Sequence, residues 1–156
     1  METFASLMRD YEQSGLGVAA RSTTWLYPLA NLIHVLGAAL LVGAIAVFDI
    51  QVLRREGSLR ALARATLPVA ILGLVIQLVS GLILLSAEAS TIVDNGAFRF
   101  KMLMLLLGLI NVVVFHWRFG HFLQKEATPD MARPFAAISL GSWVLVLLAG
   151  RAIAYA

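Results

Sequence analysis

The chain of 156 residues is strongly apolar: 60% of its residues are hydrophobic, 13% are charged, and the mean hydropathy is +0.87. These values lie outside the range of soluble globular domains and predict an all-α membrane protein. The net charge of +3 does not indicate nucleic-acid binding, because the cations are spread over helix ends and loops. The lack of cysteine excludes disulfides, thiolate metal sites and covalently attached haem.

Residues 1–21 precede the first long apolar run and predict a short helix on the membrane surface. Their apolar side chains recur at helical spacing, at Phe4, Leu7, Met8 and Tyr11. The stretch 14–17 that follows predicts a flexible connection. No apolar core of a cleavable signal peptide is visible, so the first membrane span is expected to act as an uncleaved insertion signal.

Four apolar runs are long enough to cross a hydrocarbon core of about 30 Å at about 1.5 Å per residue. They predict membrane spans over residues 25–53, 65–87, 98–119 and 135–155. We therefore expect residues 1–156 to form a single membrane domain, a four-transmembrane-helix bundle with a short N-terminal interfacial helix. Four spans are few for a self-contained channel, which favours a homo-oligomer or a larger membrane complex.

His34 is a polar ring inside the uncharged run 25–48, where it needs a partner. Its helical neighbours Ala30, Asn31, Gly37 and Ala38 are small or short, which leaves room for a flat, bulky group. Haem b is one candidate, with His34 as the iron ligand. The alternative is that the small residues let another helix approach closely, with His34 bonded across that interface. Ser80 and Gly81 in the second span predict a close-packing notch.

A second haem ligand is not evident in the sequence. His34 is expected roughly 10 Å from the outer end of span one, whereas His116 is roughly 27 Å deep in span three. This mismatch makes it improbable that the two share one haem in one subunit. The iron could be five-coordinate, take a sulfur from Met102 or Met104, or use a ligand from a second subunit. His116 also fits an aromatic and basic belt at the membrane boundary, and His121 is expected in a loop.

Three cations are expected at the outer level of the bundle, where haem propionates would emerge. Arg99 and Lys101 begin span three, and Arg151 ends span four. Arginine and lysine bind carboxylates through charge-assisted hydrogen bonds. The alternatives are that Arg99 and Lys101 extend to the lipid headgroups, and that Arg151 pairs with the carboxylate of Ala156.

Asp49 is the other ionisable group inside the first span. An ion pair with Arg54 or Arg55 is the favoured interpretation, and a proton relay is the alternative. No nucleophile elbow, phosphate-binding loop or zinc-protease motif occurs, so classical hydrolase, kinase or metalloprotease activity is not expected.

The stretches 25–28, 31–37 and 42–43, followed by Asp49, 99–101 and 111–116, resemble a family of small bacterial four-helix inner-membrane proteins of unknown function. This resemblance covers most of the chain. It implies a bacterial inner-membrane location and marks His34, Asp49 and Lys101 as motif positions. The pattern from His34 to Gly43 is also loosely similar to membrane cytochrome b and copper-resistance D-type bundles. The chain lacks their several paired histidines.

These observations predict a haem-b-binding membrane protein. It would pass electrons between the quinone pool and an outer-side partner, or serve as the membrane subunit of a redox complex. The alternative, from a different class, is a non-haem oligomeric transporter or accessory subunit whose small-residue faces are packing surfaces. Lipid and quinone are the expected small-molecule partners.

The loop cations predict the orientation of the bundle. Seven cations belong to the loops that join spans one to two and three to four, and five belong to the opposite side. The inner-side cations are Arg54, Arg55, Arg60, Arg64, Arg118, Lys125 and Arg133. Cytoplasmic loops carry an excess of lysine and arginine, so both chain termini are expected outside.

Single cysteines introduced at Ser58 and at Ala156 should therefore respond oppositely to an impermeant thiol reagent on intact cells. The cysteine at position 156 should be labelled, and the cysteine at position 58 should be labelled only after lysis. Equal labelling of both would show a dual orientation or a different number of spans.

Overall fold

The computed structural model describes residues 2–55, 58–120 and 130–155. These residues form helices α1 (Glu2–Glu12), α2 (Gly15–Ser22), α3 (Leu26–Arg54), α4 (Leu59–Ala87), α5 (Ala89–Ile92), α6 (Gly96–Phe119) and α7 (Arg133–Ala152). Short 3₁₀ turns, Asp130–Ala132 and Ile153–Tyr155, flank α7. The described part of the chain contains no strand, which confirms the predicted all-α bundle. His121, Lys125 and Ala156 lie outside the described residues.

Four helices are long and apolar enough to cross a membrane: α3, α4, α6, and α7 with its flanking turns. The chain is thus a multi-pass membrane protein. Span two begins at Leu59, earlier than the apolar run predicts, because the Ser58 side chain accepts a hydrogen bond from the backbone amide of Ala61 and caps the helix. Arg60 and Arg64 therefore lie on α4 itself rather than in a loop.

Helix α3 is the centre of the bundle. Its contact with α4 is the most extensive between any two helices, it also packs against α7, and α7 in turn packs against α6. We call the end of the bundle where α3 ends and α4 begins the inner end, and the opposite end the outer end, after the predicted orientation. At the inner end, Phe48, Phe115 and Phe119 form a chain of aromatic contacts, with ring centroids 5.8 Å and then 5.3 Å apart. Much of the remaining apolar surface faces outward, as expected for lipid contact. Examples are Ile71, Val75 and Leu82 on α4 and Leu103, Leu106 and Ile110 on α6.

The N-terminal segment is more ordered than the sequence predicts. The expected surface helix is present as α1, but the stretch expected to be flexible begins a second helix, α2. Ser14 caps α2 by accepting a hydrogen bond from the amide of Gly17. Gly17 is buried beside the end of α4, where a Cβ atom would lie 2.7 Å from the carbonyl oxygen of Ser86. Gly17 thus serves close packing, whereas no atom lies within 4 Å of a Cβ atom on Gly15.

Side chains of this segment bond to the outer end of α4 and to α5. The Tyr11 hydroxyl donates to the carbonyl of Leu82 at 2.9 Å, and Arg21 donates to the carbonyl of Ala87 at 3.1 Å. The Ser90 hydroxyl and amide donate to Glu12 at 2.6 and 2.9 Å. These two hydrogen bonds from Ser90 lower the pKa of the Glu12 carboxyl from its ordinary value.

Glycines allow α3 and α4 to approach closely. A Cβ atom on Gly73 would lie 2.5 Å from the backbone nitrogen of Leu41, and one on Gly37 would lie 2.6 Å from Cγ2 of Ile76. Small residues at helix contacts are a main source of packing in lipid, where no hydrophobic force drives the helices together. The contact therefore depends on the absence of a side chain at both glycine positions.

The Gly73→Ala variant should be destabilised, because the added methyl group meets helix backbone that cannot move without separating α3 from α4. We expect a loss of about 1–3 kcal/mol in the free energy of unfolding, measured by titration with a denaturing detergent. Gly43→Ala is the matched control, since no atom lies within 4 Å of a Cβ atom there. An equal loss in both variants would contradict this interpretation of the contact.

Candidate functional site

The His34 ring is held by α4. Its Nδ1 atom lies 2.9 Å from Oγ of Ser80, and Ser80 donates its own hydroxyl proton to the carbonyl of Ile76 at 2.5 Å. Because that proton is used, Ser80 accepts from His34, and Nδ1 carries the imidazole proton. The lone pair of the neutral ring is therefore on Nε2, where it can accept a proton or bind a metal.

The small-residue face around His34 is filled by α4. The Gln77 amide donates to the carbonyl of His34. A Cβ atom on Gly81 would lie 3.2 Å from Cε1 of the ring. The close-packing notch predicted at Ser80 and Gly81 is thus confirmed. Of the two predicted uses of this face, the contacts favour the helix interface, with His34 bonded across it.

Lys101 is the intramembrane cation of the outer half. Its side chain is half-buried beside α7, with Nζ 3.6 Å from the position of a Cβ atom on Gly150. It is five residues from the start of α6, and His34 is eight residues from the start of α3 at the same end of the bundle. Among the described residues no carboxylate forms an ion pair with Lys101. Lys101 and His34 thus lie at a similar depth in this end of the bundle, and we call the two residues together the outer site.

The other two predicted cations have partners of their own. Arg99 forms an ion pair with Asp94 at 2.6 Å and donates to the carbonyl of Val93 at 2.9 Å. Arg151 donates to the Tyr155 hydroxyl, and its guanidinium carbon lies 4.8 Å from the centre of the tyrosine ring. Each guanidinium therefore already uses some of its five N–H donors within the chain.

The two methionines considered as haem ligands differ in exposure. Met102 is exposed among the outward-facing side chains of α6. Met104 is half-buried, on the turn that follows Lys101. Met104 is the better placed of the two to reach a group inside the bundle, because helix positions three apart share a face.

His116 lies at the opposite end of the bundle from His34. It is in the last turn of α6, where its exposed ring places Nδ1 3.2 Å from the carbonyl of Val112. His34 is eight residues from the outer start of α3, and His116 is 20 residues from the outer start of α6. The two imidazoles are not brought together.

Asp49 does not form the predicted ion pair with an arginine within the described chain. Its carboxyl is bonded to the Ser139 hydroxyl of α7, and its Oδ2 atom is buried with no hydrogen-bond partner. Arg55, whose left-handed backbone ends α3, instead forms an ion pair with Asp130 at 2.5 Å. The ion-pair prediction for Asp49 was therefore wrong.

Asp49 lines a cavity of about 50 Å³ between α3, α4, α6 and α7, which we call the inner cavity. Its polar lining consists of Asp49, Thr66, Asn111, His116 and Ser139. Of these, only Asp49 and His116 are candidate functional residues by sequence. Asn111 was detectable as a lone amide within the apolar third span, whereas Thr66 and Ser139 resemble ordinary helix residues.

The chain matches no known protein family, no curated protein and no solved structure. Its function is therefore inferred from the outer site and the inner cavity.

Replacing Ser80 by alanine should free the His34 ring. Without its acceptor, the Nδ1 proton should redistribute, and ¹⁵N spectra should change from one tautomer to a mixture. We expect a loss of about 0.5–1.5 kcal/mol in the free energy of unfolding. Ser142→Ala is the control, because Ser142 donates only to backbone carbonyls of its own helix. A wild-type ring already protonated on Nε2 would contradict the assignment.

Proposed function

We propose that the outer site binds haem b through Nε2 of His34. The protein would then transfer electrons between the membrane quinone pool and a partner on the outer side, alone or as the membrane subunit of a redox complex. The observation that supports this is the hydrogen bond from Nδ1 to Ser80. A histidine that ligates a metal through one ring nitrogen commonly donates the N–H of its other ring nitrogen to an oxygen acceptor. This hydrogen bond fixes the orientation of the ring and keeps the ligating nitrogen unprotonated.

Four residues of the outer half of the bundle would hold the haem. Haem iron, when bound, would accept and donate single electrons, which is chemistry that the cofactor and not the protein supplies. His34 would ligate the iron, and Lys101 would bind a propionate through a charge-assisted hydrogen bond. A second ligand to the iron would come from Met104 or from another subunit, or His34 would be its one protein ligand. Arg99 and Arg151 would contribute through N–H donors that their contacts with Asp94 and Tyr155 leave unused.

The proposed setting is the bacterial inner membrane, with both termini outside and the outer site near the outer surface. This orientation is supported by the distribution of lysine and arginine between the two sides. The outward-facing apolar surfaces of α4 and α6 suit contact with lipid, with quinone dissolved in it, or with further subunits. We therefore propose a homo-oligomer or a larger membrane complex as the functional form.

A reduced-minus-oxidised absorption spectrum of the purified protein tests the proposal. The wild-type protein should show b-type bands, and His34→Ala should lose them while it still inserts in the membrane. His116→Ala is the matched control and should retain most of the haem, because His116 lies at the other end of the bundle. Haem lost from the His116 variant, or a wild-type protein that stays colourless when haem is supplied, would overturn the proposal.

A second candidate function is a non-haem transporter or accessory subunit, in which His34 serves to join α3 to α4. The close approach at Gly37 and Gly73 favours it, because these residues pack against a helix rather than leave space for a cofactor. In that case the wild-type protein should be colourless. His34→Ala should then lower the free energy of unfolding by about the same amount as Ser80→Ala. The two candidates are thus distinguished by the same variants.

A further inference from the structure

The Asp49 carboxyl is an enclosed acid with one free oxygen. The residue is only 4% exposed, its bond to Ser139 uses one carboxyl oxygen, and Oδ2 has no partner. Burying a carboxylate without a compensating positive charge is unfavourable by several kcal/mol. In the described chain no lysine, arginine or histidine forms an ion pair with it. Its charge must therefore be neutralised by a group that reaches it through the inner cavity.

The few polar side chains that line the inner cavity present hydrogen-bond acceptors to it. The Thr66 hydroxyl donates its proton to the carbonyl of Leu62 at 2.9 Å, and the Asn111 amide donates to the carbonyl of Phe135 at 3.1 Å. Both side chains are thereby left with an oxygen that can only accept. Together with Oδ2 of Asp49, these oxygens complement a proton donor. A volume of about 50 Å³ exceeds the roughly 10–15 Å³ that one water needs.

His116 connects the cavity with the inner boundary. It lines the cavity, yet its ring is exposed in the last turn of α6. Its Nδ1 atom faces the Val112 carbonyl, which can only accept, so the lone pair of the neutral ring is on Nε2. Among the described residues that line this cavity from all four spans, His116 is the only ionisable side chain besides Asp49. It can receive a proton from Asp49 through water and release it to the inner side.

We propose that Asp49 is an intramembrane proton-binding site, open to the inner side through the cavity and His116. On release, the O–H bond at Oδ2 breaks and the proton passes through water to Nε2 of His116; on uptake, these transfers reverse. No electron transfer is involved, and the site does not depend on haem. A metal cation is disfavoured because the cavity lining is mostly apolar, whereas hard cations bind about six or more oxygens.

Infrared difference spectroscopy of the full chain in lipid vesicles, followed over a pH titration, tests this proposal. A carbonyl band of a protonated carboxylic acid should appear, and Asp49→Asn should remove it. Asp94→Asn is the matched control and should leave the band unchanged, because Asp94 is an exposed acid paired with Arg99. If the Asp49 variant fails to fold, Ser139→Ala serves instead, since it keeps the acid but removes its hydrogen bond and should shift the band.

His116→Phe should slow the decay of the band after a pH jump and leave its amplitude unchanged. A band absent at every pH, or one that survives in Asp49→Asn, overturns the proposal. A band indifferent to Ser139→Ala overturns it as well, because the acid would then lie elsewhere. Loss of the band at constant pH when sodium replaces potassium would identify a metal-cation site and also overturn it. Unchanged kinetics in the His116 variant would refute the exit path.

Discussion

The close approach of α3 to α4 is the contact on which the rest of the bundle depends. Lipid is as apolar as a leucine side chain, so helices in a membrane adhere through packing and hydrogen bonds rather than through exclusion of water. Gly37 and Gly73 supply the packing, and the bond between His34 and Ser80 adds a directional contact that fixes the rotation of α3. With α3 fixed, its opposite face is available to α7, and α7 positions α6.

The four spans were predictable because membrane insertion acts directly on apolar run length, which a sequence displays. The start of α4 at Leu59 was not predictable in this way, because the arginines in its first turns interrupt the apolar run. The helix nevertheless begins there, since Ser58 caps it. Asp49 and Ser139 are 90 positions apart on two different helices. Their pairing was not predictable, because one sequence alone does not show which helices are neighbours in the bundle. The notch at Ser80 and Gly81 was predicted, but its occupant, the ring of His34, became evident only with both helices in place.

The two polar regions differ in chemistry as well as in depth. His34 and Asp49 lie on the same helix, 15 residues or roughly 22 Å apart along its axis. The outer site has a ring nitrogen that can accept and a cation that can donate, and the proposed binding of haem rests on these two groups. The inner cavity combines an acid with acceptor oxygens, and so suits a mobile proton. A membrane protein that held both could respond separately to events on its two sides.

The contacts of the N-terminal segment set an order of assembly. Tyr11, Glu12 and Arg21 are synthesised first, yet their hydrogen-bond partners lie between Leu82 and Ser90. None of these bonds can form until the hairpin of α3 and α4 has crossed the bilayer and brought the end of α4 to the side where the N-terminus lies. Residues synthesised before α3 are therefore among the last to reach their final positions, and they close over a hairpin that is already inserted.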